Sequence, residues 1–305
     1  MDTSDPTPSD PVLSLPPVKR ATYSDRTSVL MAEMSRLAYI PFEQPQDKDL
    51  DQAIGEIRAF LAIREHVDGR ASPAPGILVP SFRGTEKKVQ DWKTDLKARK
   101  TIMRMSGIPV HQGFWEAFNL VRPKISSDVA PLTDAGYTLY LTGHSLGGAL
   151  ALIATREIGS DSTGACYTFG QPRVSGYGFA QDIKTPIYRV VNASDIVPRV
   201  PPAVLPRVLL FALRLVRFPG RAWLMDILEM FAGYVHHGDM RYLTKSNGDA
   251  DRRYEDVRLL ANPNMFDRAT WWVGDLFWTL RGPAVDHSIS KYCEKLRAYA
   301  MKRNR

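Results

Sequence analysis

Cysteine is scarce: two residues in 305, Cys166 and Cys293. Two cysteines cannot build a disulfide framework, and no Cys/His spacing resembles a zinc ligand set. A reducing compartment fits that usage. No stretch approaches the roughly 18 uncharged apolar residues of a membrane-spanning helix. The N-terminus, MDTSDPTPSDPVLSLPP, places acids and prolines where a signal peptide has basic residues and then an apolar run. The expectation is a chain that is cytoplasmic or peripheral to a membrane. An RNA-binding signature is also missing, so the net charge of +7 gives no support to nucleic acid as a partner. It leaves an anionic membrane surface or plain solubility.

What is present is an ordinary globular mixture, 44% hydrophobic and 24% charged, in a chain long enough to bury a large core. Residues 1–20, rich in Pro, Ser and Asp, read as a disordered tail. Residues 21–305 read as one domain. Within it, Thr27 to Ile40 has helical spacing of apolar residues, with Thr27 or Ser28 as cap. Ala59 to His66 and Gly76 to Phe82 read as strands, and a helix follows Phe114 to about Ile125.

The chain is organised around Tyr137 to Ala154, YTLYLTGHSLGGALALIA. Its first half is β-branched and aromatic and suits a buried strand. Its second half is rich in Ala and Leu and suits a helix packed on a sheet. Between them Gly143-His144-Ser145-Leu146-Gly147 is a G-x-S-x-G on a strand-to-helix turn, the context of a nucleophile elbow. There the Ser145 hydroxyl is exposed, and the helix beginning at Leu146 aims its free N–H groups at the place where an oxyanion would form.

Further strands are expected at Ala165 to Phe169 and Tyr188 to Asn192. Strands alternating with helices predict an α/β fold with a mainly parallel sheet covered on both faces, and chemistry at the strands' C-terminal ends. Ser145, Asp195 and the 81–85 loop all follow expected strands, so this topology gathers them at one edge.

FRGT…DW…DL (from Phe82), VHQGF (from Val110), GHSLGG (from Gly143), TFGQPRV (from Thr168), NASDIVPRVP (from Asn192) and DHSISKY (from Asp286) occur in this order. In order and rough spacing they resemble the class 3 (fungal-type) lipase family. The resemblance covers about Thr27 to Tyr292 with one large interruption. It implies an α/β-hydrolase that cleaves esters of acylglycerols or related lipids, without metal or cofactor.

A serine hydroxyl needs a histidine to take its proton, and that histidine needs a carboxylate to fix its tautomer. The order Ser, Asp, His suits this fold. Asp195 is the expected acid, in an N-x-x-D-x-V-P context that the family shares; its structural alternative is a cap on the turn before Pro198. Asp161 and Asp182 stand in polar positions. His287, between Asp286 and Ser288, matches the family's D-H-…-Y and is the expected base. His236 and His237 are its competitors, because they also follow Asp195. His66 comes too early, His144 is expected to pack beside the nucleophile, and His111 to be a buried, hydrogen-bonded structural residue. The oxyanion donors are expected to be the backbone N–H groups of Leu146 and Thr85, with the Thr85 hydroxyl added by the resemblance. Two other classes remain open: a lipase-like binding or regulatory protein without turnover, and a soluble carbohydrate or phenolic-acid esterase.

The departure from the family is an insertion at about 202–234, PAVLPRVLLFALRLVRFPGRAWLMDILEMFAGY. Val204 to Phe218 is apolar around most of a helix. Arg207, Arg214, Arg217 and Arg221 fall within about 80° of one another at roughly 100° per residue. Phe218-Pro219-Gly220 signals a break, so a helical hairpin is expected. With Trp271 to Trp278 it is read either as extra core or as a platform on an anionic membrane. The lysines and arginines from Lys87 to Lys100, where the family has its lid, make an apolar lid there a poor fit.

Overall fold

Strands alternate their side chains between two faces, and that alternation sets the architecture here. A computed structural model of the chain describes residues 22–39, 77–84, 100–103, 107–160, 163–193, 195–201, 205–246, 254–264 and 287–303. In chain order the first elements are α1 (Asp25–Leu37), β1 (Ile77–Leu78), β2 (Ser81–Phe82), β3 (Lys100–Ile102), β4 (Pro109–His111) and α2 (Gln112–Asp134). Next come β5 (Thr138–His144), α3 (Leu146–Ile158), β6 (Ala165–Phe169), β7 (Ile187–Asn192) and a 3-10 turn, Val197–Arg199. The last are α4 (Leu205–Leu215), α5 (Arg221–Phe231), β8 (Asp239–Leu243), β9 (Leu259–Ala261) and α6 (Ile289–Arg303).

The main sheet runs β1-β5-β6-β7-β8-β9, with β2 also on β5. Every pairing is parallel except β8 with β9. Leu139, Leu141 and Cys166 face one core layer, shared with Phe114 and Phe118 of α2 and Leu150 and Ile153 of α3. Their neighbours Tyr140, Tyr167, Phe169, Tyr188 and Val190 face the other, shared with Val29 and Met31 of α1 and Tyr292 and Leu296 of α6. Each side chain of this size contributes about 1.5–3 kcal/mol when fully buried. The result is a three-layer α/β architecture, a mainly parallel sheet covered by helices on both faces.

Several boundaries differ from the sequence reading. The expected strand from Gly76 to Phe82 is split in two: Pro80 has no N–H for the ladder, though its carbonyl still accepts from Thr142 N–H at 3.2 Å. Ser24, not Thr27 or Ser28, caps α1, and both of those residues are buried in the helix instead. Helix α2 does not stop near Ile125 but runs through Pro123 and Pro131 to Asp134. Its Phe114, Trp115, Phe118 and Val129 remain on the core side, and this packing outweighs the local cost of proline. The insertion does form two helices packed on each other, α4 and α5. The first ends at Leu215, so Arg217 and Arg221 are not on its face and the single four-arginine stripe does not exist.

The expected tail 1–20, the strand at Ala59 to His66, the basic run Lys87 to Arg99 and the cluster Trp271 to Trp278 lie outside the described residues. Among the described residues, no helix is long and apolar enough to cross a membrane.

Candidate active site

Ser145 sits between β5 and α3 with φ 59° and ψ −126°, a conformation a non-glycine residue adopts only where its surroundings enforce it. Those surroundings are glycine. A side-chain carbon on Gly143 would collide with the Gly147 carbonyl, and one on Gly147 with the carbonyl of Phe82 at the end of β2. Both absences let the first turn of α3 lie directly against β5 and β2. The Ser145 N–H donates across to the Phe169 carbonyl at 2.9 Å, locking the turn to the end of β6.

Three side chains from separate elements meet here. Ser145 Oγ lies 2.8 Å from His287 Nε2. His287 Nδ1 lies 3.0 and 2.9 Å from the two oxygens of Asp195. The carboxylate can only accept, so Nδ1 carries the proton and Nε2 is free to accept from the serine hydroxyl. All three are buried. Asp195 also accepts from Val197 N–H at 2.9 Å, so it caps its turn as well as facing the histidine. A further donor is the Tyr292 hydroxyl, 2.6 Å from Asp195 Oδ2. That hydroxyl in turn accepts from Asn192 N–H at 3.0 Å. One turn later, Lys295 Nζ reaches Asn192 Oδ1 at 2.6 Å and the Thr244 carbonyl at 3.1 Å. Helix α6 therefore clamps the end of β7, from which Asp195 follows.

His144 has a different role from its neighbour, although the two rings are only 4.5 Å apart. Its Nε2 lies 2.6 Å from the His287 carbonyl, which only accepts, so Nε2 carries the proton. Its Nδ1 then accepts from the Tyr39 hydroxyl at 2.9 Å. Burial, and next the neighbouring His287, hold its pKa well below the usual histidine value. This ring stays neutral and anchors the backbone of His287. Tyr39 is brought to it because α1 is tied to β5, where Ser35 Oγ and Thr142 Oγ1 are 2.9 Å apart.

The other candidates lie elsewhere. His236 Nε2 bonds the Pro198 carbonyl at 2.6 Å, and His237 Nε2 bonds Ser175 Oγ at 2.8 Å. Neither is bonded to Ser145. Asp182 is exposed and pairs with Arg156 at 3.5 Å. His111 is buried but not hydrogen-bonded through its ring among the described residues; it stacks on Phe114 at 4.1 Å, and burial lowers its pKa to about 4. Leu146 opens α3, where the first N–H groups have no partner within the helix. Thr85 and Asp161 lie outside the described residues.

Sequence reasoning missed Tyr39, Lys295 and Gly170. Gly170 follows β6 with φ +57°, and a side-chain carbon there would fall 2.8 Å from Asp195 Oδ2 and 3.0 Å from the His287 ring. Its signal, a glycine directly after a strand, was available. Tyr39 and Lys295 have no local signal, because their partners are 51 or more residues away in the chain. No group of three or more metal-ligating side chains occurs among the described residues.

The family description "Lipase (class 3)" matches residues 79–205. A secreted mono- and diacylglycerol lipase of Fusarium solani is 37% identical over 134 residues, 42% of this chain and 40% of the relative. A lipase of Rhizomucor miehei is 37% identical over 137 residues, 40% of this chain and 37% of the relative. The chain thus spans about two fifths of the length of these curated relatives. The solved triacylglyceride lipase of Rhizomucor miehei is 29% identical, covering 58% of this chain and 60% of its own at a TM-score of 0.44. Residues 79–205, the span that holds both Ser145 and Asp195, are thus similar to the class 3 lipase family.

Proposed function

We propose that the protein is a serine hydrolase that cleaves carboxylic ester bonds of acylglycerols or related lipids through an acyl-enzyme. The observation that carries this reading is the continuous path from Ser145 Oγ through His287 to Asp195. Ser145 attacks the acyl carbon while its proton passes to His287 Nε2. Asp195 holds the ring and stabilises the imidazolium that forms. The tetrahedral oxyanion is held by the Leu146 N–H and, following the family motif, by Thr85. His287 then returns the proton to the leaving alcohol, and water repeats the sequence to release the acid. No metal or cofactor is needed. The lipid is met at an anionic membrane surface to which the protein is peripheral.

The test is Ser145→Ala, assayed on a short-chain p-nitrophenyl ester, together with labelling of the parent by a fluorophosphonate probe. Hydrolysis should disappear while the melting temperature is kept, and only the parent should label. Hydrolysis retained by the variant overturns the assignment. A parent that folds but neither labels nor hydrolyses would instead be a binding protein on this scaffold. A panel of triacylglycerols, monoacylglycerols and phospholipids, offered as monomers and as aggregates, identifies the substrate class.

A further inference from the structure

Large apolar side chains that are exposed one at a time over a surface need no explanation; a cluster of them does. Of the 13 such residues among those described, seven fall between 208 and 223: Val208, Leu209, Phe211, Leu215, Val216, Phe218 and Trp223. Phe211, Leu215 and Trp223 are 66%, 73% and 69% exposed. All seven belong to the α4–α5 hairpin or its tip.

The two faces of α4 sharpen the point. Pro206 and Leu210 are buried, and Leu213 is half-buried. At roughly 100° per residue, Val208, Phe211 and Leu215 centre about 180° from them. The outward face of this helix is thus apolar, the reverse of a helix that merely covers a core. Arg207 and Arg214 lie together on one flank, both exposed. Between Leu205 and Met225 there are four arginines and no acid; the first acids, Asp226 and Glu229, lie in the middle and last turn of α5. The tip turns at Gly220, with φ +84° and open space around it. Ahead of the hairpin, Arg173 bonds the carbonyls of Arg199 and Pro201, and at its start Arg207 lies 5.3 Å from the Tyr177 ring.

We propose that the outward face of α4 and the hairpin tip form a docking surface for a bilayer with anionic headgroups. Phe211, Leu215, Phe218 and Trp223 enter the interface between headgroups and acyl chains, and Arg214 and Arg217 engage the lipid phosphates. Apolar side chains give depth, and the arginines, unopposed by acid, select negative lipid. Along α4 and α5 water leaves the exposed side chains without the backbone being stripped, because helical hydrogen bonding satisfies it, and at the tip the Phe218 carbonyl accepts from Arg221 N–H at 3.3 Å. This deepens the lipid-hydrolase reading by naming the surface that meets the membrane, and it rests on that reading only for its biological sense.

The experiment uses full-length protein carrying Ser145→Ala, so that binding is read without turnover. Vesicles of phosphatidylcholine with phosphatidylserine are compared with vesicles of phosphatidylcholine alone, by flotation and by quenching of tryptophan with bromine-labelled lipid. Binding should favour the anionic vesicles and weaken with salt as the screening length falls from about 10 Å at 0.1 M to about 3 Å at 1 M. The double change Arg214→Gln/Arg217→Gln should weaken anionic binding about 25-fold, roughly fivefold per arginine, and remove most of the salt dependence. The triple change Leu215→Ser/Phe218→Ser/Trp223→Ser should abolish flotation while leaving the melting temperature unchanged. In a Ser145-intact background it should also leave hydrolysis of a soluble ester unchanged, which separates this proposal from the catalytic one. The proposal is overturned if the triple variant floats like its parent, or if it melts markedly earlier, which would make these residues core. It is equally overturned if sedimentation velocity shows a dimeric parent and a monomeric triple variant, since the surface would then serve a second copy of the chain.

Discussion

Around Ser145, polar side chains are buried; along the α4–α5 hairpin, apolar ones are exposed. In the first region the Ser145–His287–Asp195 path and His144 are compensated inside the molecule. Asp195 receives Val197 N–H, His287 and Tyr292, and His144 is bonded at both nitrogens. A buried polar group without such partners costs roughly 1–3 kcal/mol. In the hairpin the exposed side chains have no compensation within the described residues, so whatever they gain must come from outside. One region is thus complete in itself, and changes there should harm chemistry and stability together. The other should tolerate substitution until a membrane is present.

The strongest way to break that contrast is at the base. His287→Ala should reduce kcat on a soluble ester by about 10⁴-fold or more. The double change His236→Ala/His237→Ala should keep kcat within about tenfold, even though the lost bond to Ser175 lowers its melting temperature. Comparable losses of kcat in the two variants would mean that the base has been misassigned.

Tyr292→Phe probes the clamp on Asp195 at smaller scale. A hydrogen bond to a charged group is worth about 1.5–3 kcal/mol. The expected result is a melting temperature lower by several degrees and a kcat reduced about tenfold, with KM for a soluble ester unchanged. An unchanged kcat would show that His287 and Val197 N–H hold the carboxylate without the phenol.

A further expected effect is an acid sensitivity carried by histidines whose pKa burial lowers, of which His144 alone lies beside Ser145. Burial lowers His111 and His237 to about 4, and holds His144 and His236 well below 6.5. The unfolded chain binds protons at these positions as pH falls below about 6.5, while the folded chain does not until about 4 at His111 and His237 and only well below 6.5 at His144 and His236. Stability is therefore complete above about 6.5 and declines toward 4, by roughly 1.4 kcal/mol per pH unit for each such histidine. Calorimetry between pH 7.5 and 5 should show the decline. His111→Phe should flatten it by one proton and, because no ring bond is lost, should not lower stability at pH 7.5. An unchanged slope in that variant would mean that His111 titrates normally in the fold.

Legibility followed the range of the interactions. The elbow could be read directly because strand, Gly143, Ser145, Gly147 and helix are adjacent, and each constrains the next. The strands of β6 and β7 could be read because both faces of a central strand are apolar. Helix α2 was read too short because proline at 123 is a local signal, whereas the packing of Val129 beyond it is not. His111 was expected to be hydrogen-bonded because buried histidines usually are; the stack on Phe114 could not be seen from its spacing.

By itself, then, the sequence determined the layered α/β scaffold, the placing of Ser145 on a strained turn and the existence of a helical insertion. Each depends on residues within a few positions of one another. Only the tertiary structure shows which of the six histidines lies within hydrogen-bond reach of both Ser145 and Asp195. That placement depends on contacts among residues 145, 195 and 287, and on the Tyr39 and His144 bonds that anchor the His287 backbone. It also decided which side of α4 is buried. The helix is apolar on both faces, and periodicity cannot say which of two apolar faces meets the protein.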